Sequence, residues 1–247
     1  MILSTQETRE MQTRKEVVIC DWDNVIQNID IPWLVGVYQK RDLFKDYFDE
    51  EKMDITQKNY LFKVLGRKDY YLDQWLLKDK EKPLPPHLKE EFMNIYLKDE
   101  DFYNKCKFTE FSNTLAIMLE QDFCSEIIFL SHAPAAMNGV DKRKEAIFEE
   151  YKKINHLEDN SKVRLVIIDE NTKKHDWVKE NCPNFTCAVD DRIDIIKGYI
   201  AETNIDKGIF ILPRLGYNSP IDDHLTNQEK IKYFLGYSSV IQYTNPF

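Results

Sequence analysis

Glu16-Val17-Val18-Ile19-Cys20-Asp21-Trp22-Asp23-Asn24-Val25 is the stretch on which the reading of this chain turns. Four apolar residues run into Asp-x-Asp, the pattern of a buried strand that delivers two carboxylates to its C-terminal end. In an open α/β sheet ligands bind at that end, because the chain leaves the core there. Two carboxylates so close repel unless a cation lies between them or one takes a proton. The competing reading of the same residues is a strand followed by an Asp/Asn turn.

Four further runs repeat the theme. Glu126-Ile127-Ile128-Phe129-Leu130 ends in Ser131-His132, and Val163 to Ile168 ends in Asp169. Thr186-Cys187-Ala188-Val189 ends in Asp190-Asp191, and Gly208-Ile209-Phe210-Ile211-Leu212 leads into a turn-rich loop, Pro213 to Pro220. Helical periodicity fills the gaps. Phe111, Leu115 and Met118 precede the second strand; Ile147, Phe148, Tyr151 and Ile154 follow it, with a cap expected near Asp141. Ile193, Ile196, Tyr199 and Ile200 follow the fourth. Strands alternating with helices at this spacing predict βαβ units and an α/β fold with a doubly wound, mostly parallel sheet.

Between the first two strands lie about a hundred helix-favouring, aromatic-rich residues. Ile31-Pro32-Trp33-Leu34 places a proline where a helix starts, and Pro83-Leu84-Pro85-Pro86 reads as a loop between two helical parts. Phe44, Tyr47, Phe48, Tyr60, Phe62, Tyr70, Tyr71 and Trp75 suit a small helical core better than a ligand cage. The expected organisation is a core of residues 1–30 and 109–247, with a helical insert over 31–108.

Composition narrows the partners. The 247 residues carry 34 Lys and Arg against 43 Asp and Glu, a formal charge of −9, which argues against a sequence-independent grip on long nucleic acid. A small anionic substrate held by local cations is allowed. Cys20, Cys106, Cys124, Cys182 and Cys187 form no C-x-x-C pair and read as reduced thiols of a cytosolic protein. Residues 1–15 are polar and lack the apolar segment of a signal peptide, and no apolar run reaches membrane-spanning length. A cytoplasmic location is expected. His87, His132, His156, His175 and His224 show no zinc-ligand spacing.

Asp21 and Asp23, Ser131, a lysine after the third strand, and Asp190 and Asp191 all fall at strand ends, hence at one rim of a parallel sheet. Carboxylates hold Mg²⁺, a hydroxyl donates to a phosphoryl oxygen, and a lysine neutralises developing charge. Each residue alone has a plain structural explanation: Ser131 a turn, Lys173 and Lys174 a solvated face, Asp190 and Asp191 a helix N-cap.

The order Asp21-x-Asp23, Ser131, Lys, Asp190-Asp191 resembles the four motifs of the haloacid dehalogenase (HAD) superfamily over residues 16 to about 200. The resemblance implies Asp21 as nucleophile, forming an aspartyl-phosphate, and Asp23 as general acid and then base. It implies Mg²⁺ bound by Asp21, by Asp23 through its backbone carbonyl, and by Asp190 or Asp191. Ser131 and a lysine would hold the phosphoryl group. Family topology leaves Lys173 or Lys174, of which Lys174 is preferred; Lys142 and Lys144 come too early in the chain. Many relatives have Gly-Thr where this chain has Asn24-Val25, and Asn tolerates the turn. Asp23 favours phosphate chemistry, since dehalogenase members lack it.

Among HAD relatives the insert resembles a helical cap, which closes over small phosphomonoesters and obstructs polymers. Trp22 and Trp33 are candidates to stack on a substrate ring. The first motif, Val189 to Asp194, and Leu212-Pro213 with Tyr217-Asn218 are similar to the 5'(3')-deoxyribonucleotidase branch. Size, insert and composition fit its phage-encoded kind, which acts on deoxynucleoside 5'-monophosphates. Other small phosphomonoesters such as sugar phosphates, a polynucleotide end, or a non-catalytic phosphate-sensing role are the competing expectations. The aromatic insert leaves a homodimer open.

Overall fold

The structure, a computed structural model, describes residues 16–133, 139–202, 209–213 and 231–234. Its centre is a six-stranded sheet in the order β5-β4-β1-β6-β7-β8, built from β1 (Val17–Cys20), β4 (Glu126–Ala133), β5 (Val163–Asp169), β6 (Cys187–Val189), β7 (Ile209–Pro213) and β8 (Ile231–Phe234). Every pairing is parallel. The chain leaves β1 towards β4 and β5, then returns past it to β6. The switch point of the topology therefore falls at the end of β1, where such sheets bind ligands. Among the described residues β8 adds a strand to the five expected from the sequence. Tyr217 and Asn218 lie outside the described residues.

Period-two alternation assigns the two faces. Val18 and Cys20 of β1, with Ile127 and Phe129 of β4, pack against α8 (Glu110–Glu120) and α9 (Val140–Ile154) through Leu115, Leu119, Ile147, Phe148 and Tyr151. Ile19, Ile128 and Leu130 face the opposite way, against α10 (Lys174–Asn181) and α11 (Ile193–Glu202) through Val178, Ile196 and Tyr199. The cap expected at Asp141 falls to Gly139, whose φ of 99° suits a residue without Cβ; Ile154 is exposed, off the packed face.

The insert begins and ends side by side. A two-stranded antiparallel ribbon, β2 (Gln27–Asn28) with β3 (Lys107–Phe108), clasps both ends just beyond β1. Thr109 reinforces the clasp, donating its N–H to the Ile26 carbonyl and its hydroxyl to that of Val25. Between them run α1 (Asp30–Gln39), α2 (Arg41–Phe44), α3 (Glu50–Met53), α4 (Tyr60–Leu65), α5 (Leu72–Leu76), α6 (Pro86–Leu97) and α7 (Phe102–Lys105). Residues from Ile31 to Ile95 bury their own core, including Phe44, Phe48, Trp75 and Phe92. Gly36 lets α1 lie against α6; a Cβ there would come within 2.2 Å of Ile95. Of the aromatic residues expected in this core, Phe62 and Tyr71 are instead exposed, at 72% and 59%.

Candidate active site

Local backbone geometry places the first two carboxylates. The β1 ladder closes with the Asp21 N–H donating to the Val189 carbonyl at 2.8 Å. The chain then turns at once: the Ile26 and Gln27 N–H groups both donate to the Trp22 carbonyl. Asn24 carries this turn at φ 58°, in the left-handed region that Asn tolerates, and its side chain accepts from the Ile29 N–H at 3.2 Å. Trp22 anchors the turn from below. Its ring is fully buried, edge-on to Phe129 at 5.2 Å and Tyr151 at 5.8 Å, and Nε1 donates to Gln27 Oε1. It is therefore a core residue and not a stacking surface for substrate, because two residues past β1 it continues the Val18–Cys20 side of the strand into the sheet–helix layer. Trp33 is likewise engaged, stacked on Phe92 and Tyr96 with Nε1 donating to the Phe92 carbonyl at 3.1 Å.

Asp21, Asp190 and Asp191, all buried, each offer an oxygen within 4.8 Å of the others. Lys174, the first residue of α10, spans two of them: its Nζ lies 2.7 Å from Asp21 Oδ1 and 2.7 Å from Asp190 Oδ2. Its neighbour Lys173 is exposed. Asp21 Oδ1 also accepts the Trp22 N–H at 2.7 Å, and Asp190 Oδ1 the Arg192 N–H at 3.0 Å. Burial opposes the charge on Lys174, but Asp190 and Asp21 outweigh it and keep the ammonium protonated well above its ordinary range. Burial also pushes the Asp190 carboxyl up to about 7, with Asp21 adding to the rise and Lys174 opposing it.

The Asp23 carboxylate does not join this cluster. Its Oδ2 accepts from Lys144 Nζ at 2.6 Å, and Lys144 also donates to Ser131 Oγ at 2.7 Å and to the His132 carbonyl at 2.9 Å. Asp23 Oδ1 is buried with no hydrogen-bond partner among the described residues. Burial raises the Asp23 pKa, Lys144 opposing and Asp21 assisting. Lys144, set aside in the sequence as too early in the chain to be the phosphate-binding lysine, is nonetheless part of the rim. A helix that follows a parallel strand starts at the same rim as the strand ends, so the first turns of α9 reach the site as those of α10 do. The usable signal was position 144 on the inward face with Ile147, Phe148 and Tyr151; Lys142 points to solvent.

Two elements brace the rim. His132 is half-buried, and burial lowers its pKa; its Nε2–H donates to the Thr172 carbonyl at 2.9 Å, tying the end of β4 to the loop that presents Lys174. From the insert, Tyr70 sets its ring under the Arg192 guanidinium, 5.0 Å from centroid to Cζ. Burial holds the Tyr70 phenol well above its usual pKa, and the charges of Asp191 and Asp21 add to this. The exposed ring of Tyr71 lies 5.0 Å from that of Tyr70. No local sequence pattern distinguishes these two tyrosines from the other aromatic residues of the insert.

No family model and no curated protein matches the sequence. Solved structures do. A candidate phosphatase from Clostridium difficile aligns with a TM-score of 0.52 at 14% identity, covering 94% of this chain and 100% of that one. A candidate beta-phosphoglucomutase from Thermotoga maritima aligns at 0.48 and 13% identity over 92% and 97%. A haloacid dehalogenase-like hydrolase from Xanthomonas campestris aligns at 0.45 and 8% over 94% and 96%. The sheet order and the first of these alignments define the architecture: a Rossmann-like α/β fold with a parallel central sheet. No helix among the described residues is long and apolar enough to cross a membrane.

Proposed function

We propose that the protein is a Mg²⁺-dependent phosphomonoesterase acting through an aspartyl-phosphate on Asp21, with deoxynucleoside 5'-monophosphates as substrates. One observation carries this reading: four carboxylates meet only two lysines at the switch point of a parallel sheet. Unbalanced negative charge in a buried site calls for a cation. The donors fit one. Asp21, Asp190 and Asp191 are oxygen ligands suited to a hard divalent ion, and they are gathered closely enough to share it. With Mg²⁺ bound, its charge would draw phosphoryl oxygens to a rim that otherwise repels them.

The remaining steps fall to side chains. Lys174 and the Trp22 N–H occupy Asp21 Oδ1, which leaves Oδ2 to attack phosphorus. As the Oδ2–P bond forms, the ester P–O bond breaks and its electron pair stays with the leaving oxygen, which takes the Asp23 proton. Water then attacks the aspartyl-phosphate, Asp23 accepts a proton from it, and the Asp21–P bond breaks to release phosphate and restore the carboxylate. Ser131 donates to a phosphoryl oxygen. Residues 31–108 act as the cap, and possession of such a cover favours small substrates.

Support for a nucleotide comes from the branch resemblance and from the rim itself. Tyr70, Tyr71 and Arg192 form a planar, cationic corner beside the acidic cluster, suited to a flat leaving group. Phosphate release from a panel of dNMPs, NMPs and sugar phosphates, with Mg²⁺ or EDTA, tests the reading. Metal-dependent release greatest from dNMPs supports it. Preference for sugar phosphates would retain the mechanism and discard the substrate, and no release from any ester would discard both.

A further inference from the structure

We infer that Lys144 is a positioning residue that decides which atoms of Asp23 and Ser131 face the substrate. The inference rests on the phosphomonoesterase reading and adds a residue to it. Lys144 is wholly buried, and its ammonium has three hydrogens for three acceptors: Asp23 Oδ2, Ser131 Oγ and the His132 carbonyl. No donor is left for a phosphoryl group, so Lys144 acts on substrate only through others. It takes one oxygen of Asp23 and leaves Oδ1, which has no other partner among the described residues, as the atom that gives its proton to the leaving oxygen. It also donates into a lone pair of Ser131 Oγ, so the Ser131 hydroxyl hydrogen must point elsewhere, to the phosphoryl oxygen.

The surroundings fix the ammonium in place. Its Nζ stands 5.8 Å from the Tyr103 ring, and the Tyr96 and Tyr103 hydroxyls bond each other at 2.8 Å beside it. Both tyrosines pack in the core under the sheet, so Lys144 joins α9, β1 and β4 at a single atom.

Leaving-group dependence separates this role from a merely structural one. An alkyl ester such as a dNMP needs a proton on its departing oxygen, whereas p-nitrophenolate leaves without one. In Lys144→Met, kcat with a dNMP should fall roughly a hundredfold or more, and with p-nitrophenyl phosphate by less than about tenfold. Ser131→Ala, which removes the phosphoryl contact and one acceptor of Lys144 but keeps the Lys144–Asp23 bond, should depress both substrates alike. Lys144→Gln keeps a donor for Asp23 without the charge and should recover part of the dNMP rate; it also serves if the methionine variant does not fold. Equal losses on both esters in the lysine variants, or no loss on either, would overturn the assignment. A wild-type protein inactive on both esters would remove the phosphomonoesterase reading and this inference with it.

Discussion

The helical insert and the rim of the sheet both bury charge, but on opposite terms. In the insert Arg67 and Asp30 are 2% and 5% exposed and form a 2.7 Å pair, one charge against one. Arg67 also donates to the Val64 and Tyr70 carbonyls, so the pair links the start of α1 to the turn that carries Tyr70. At the rim Asp21, Asp23, Asp190 and Asp191 face Lys144 and Lys174. A balanced, desolvated pair fixes geometry. An unbalanced cluster stores repulsion that a ligand of the missing sign relieves, and the difference between the two regions separates architecture from chemistry.

The comparison breaks first at Asp21. Asp21→Asn is expected to reduce phosphate release from the preferred ester by roughly 10³-fold or more, since no second nucleophile stands in its place. Thermal unfolding of the metal-free variant should occur at an equal or higher temperature than wild type, because one repelling charge is gone. A variant that lost activity by unfolding would place the rim in the same class as the insert. Arg67→Met should behave in the reverse manner. It leaves Asp30 buried without its cation, at a cost of about 3–5 kcal/mol by urea denaturation. Adding Asp30→Leu should recover most of that loss. Little change in the single variant would show that the insert's pair is not what holds it.

Legibility in the sequence divides along the same line. The rim could be read because a parallel sheet sends every strand end to one edge, so Asp21, Ser131 and Asp190 needed only their strands to be recognised. Asn24 was legible through its turn chemistry. Lys144 was not, because the motif order directs attention to the loop after the third strand, whereas its place depends on the helical phase of α9. Trp22 reads as a candidate to stack on substrate because it lies near where a cap would meet the site, yet strand alternation continues through it and turns the ring inward. Tyr70 gains its position from Arg67 and Asp30, 37 residues apart, a contact no local pattern encodes. The β2–β3 ribbon has two residues per strand, too few to show a period.

A final, modest effect should be seen at the rim alone. Asp190 holds its proton up to about 7, raised by burial and by Asp21 against the pull of Lys174. An ordinary carboxylate in the unfolded chain releases its proton near ~4. The folded, metal-free protein therefore binds the extra proton between these values, and the stability that this group contributes is full below the lower one and lost as pH rises towards the upper. Mg²⁺ competes with that proton, so its stabilising effect should follow the opposite course. The increase in unfolding temperature on adding a fixed excess of Mg²⁺ should be larger at pH 8 than at pH 6, by a few degrees for each kcal/mol of differential binding. Asp190→Asn should flatten that dependence, and Arg67→Met, in the balanced region, should leave its slope unchanged. An equal Mg²⁺ shift at both pH values would mean that the cluster is already ionised before the cation arrives, and that Lys174 alone is enough to hold it.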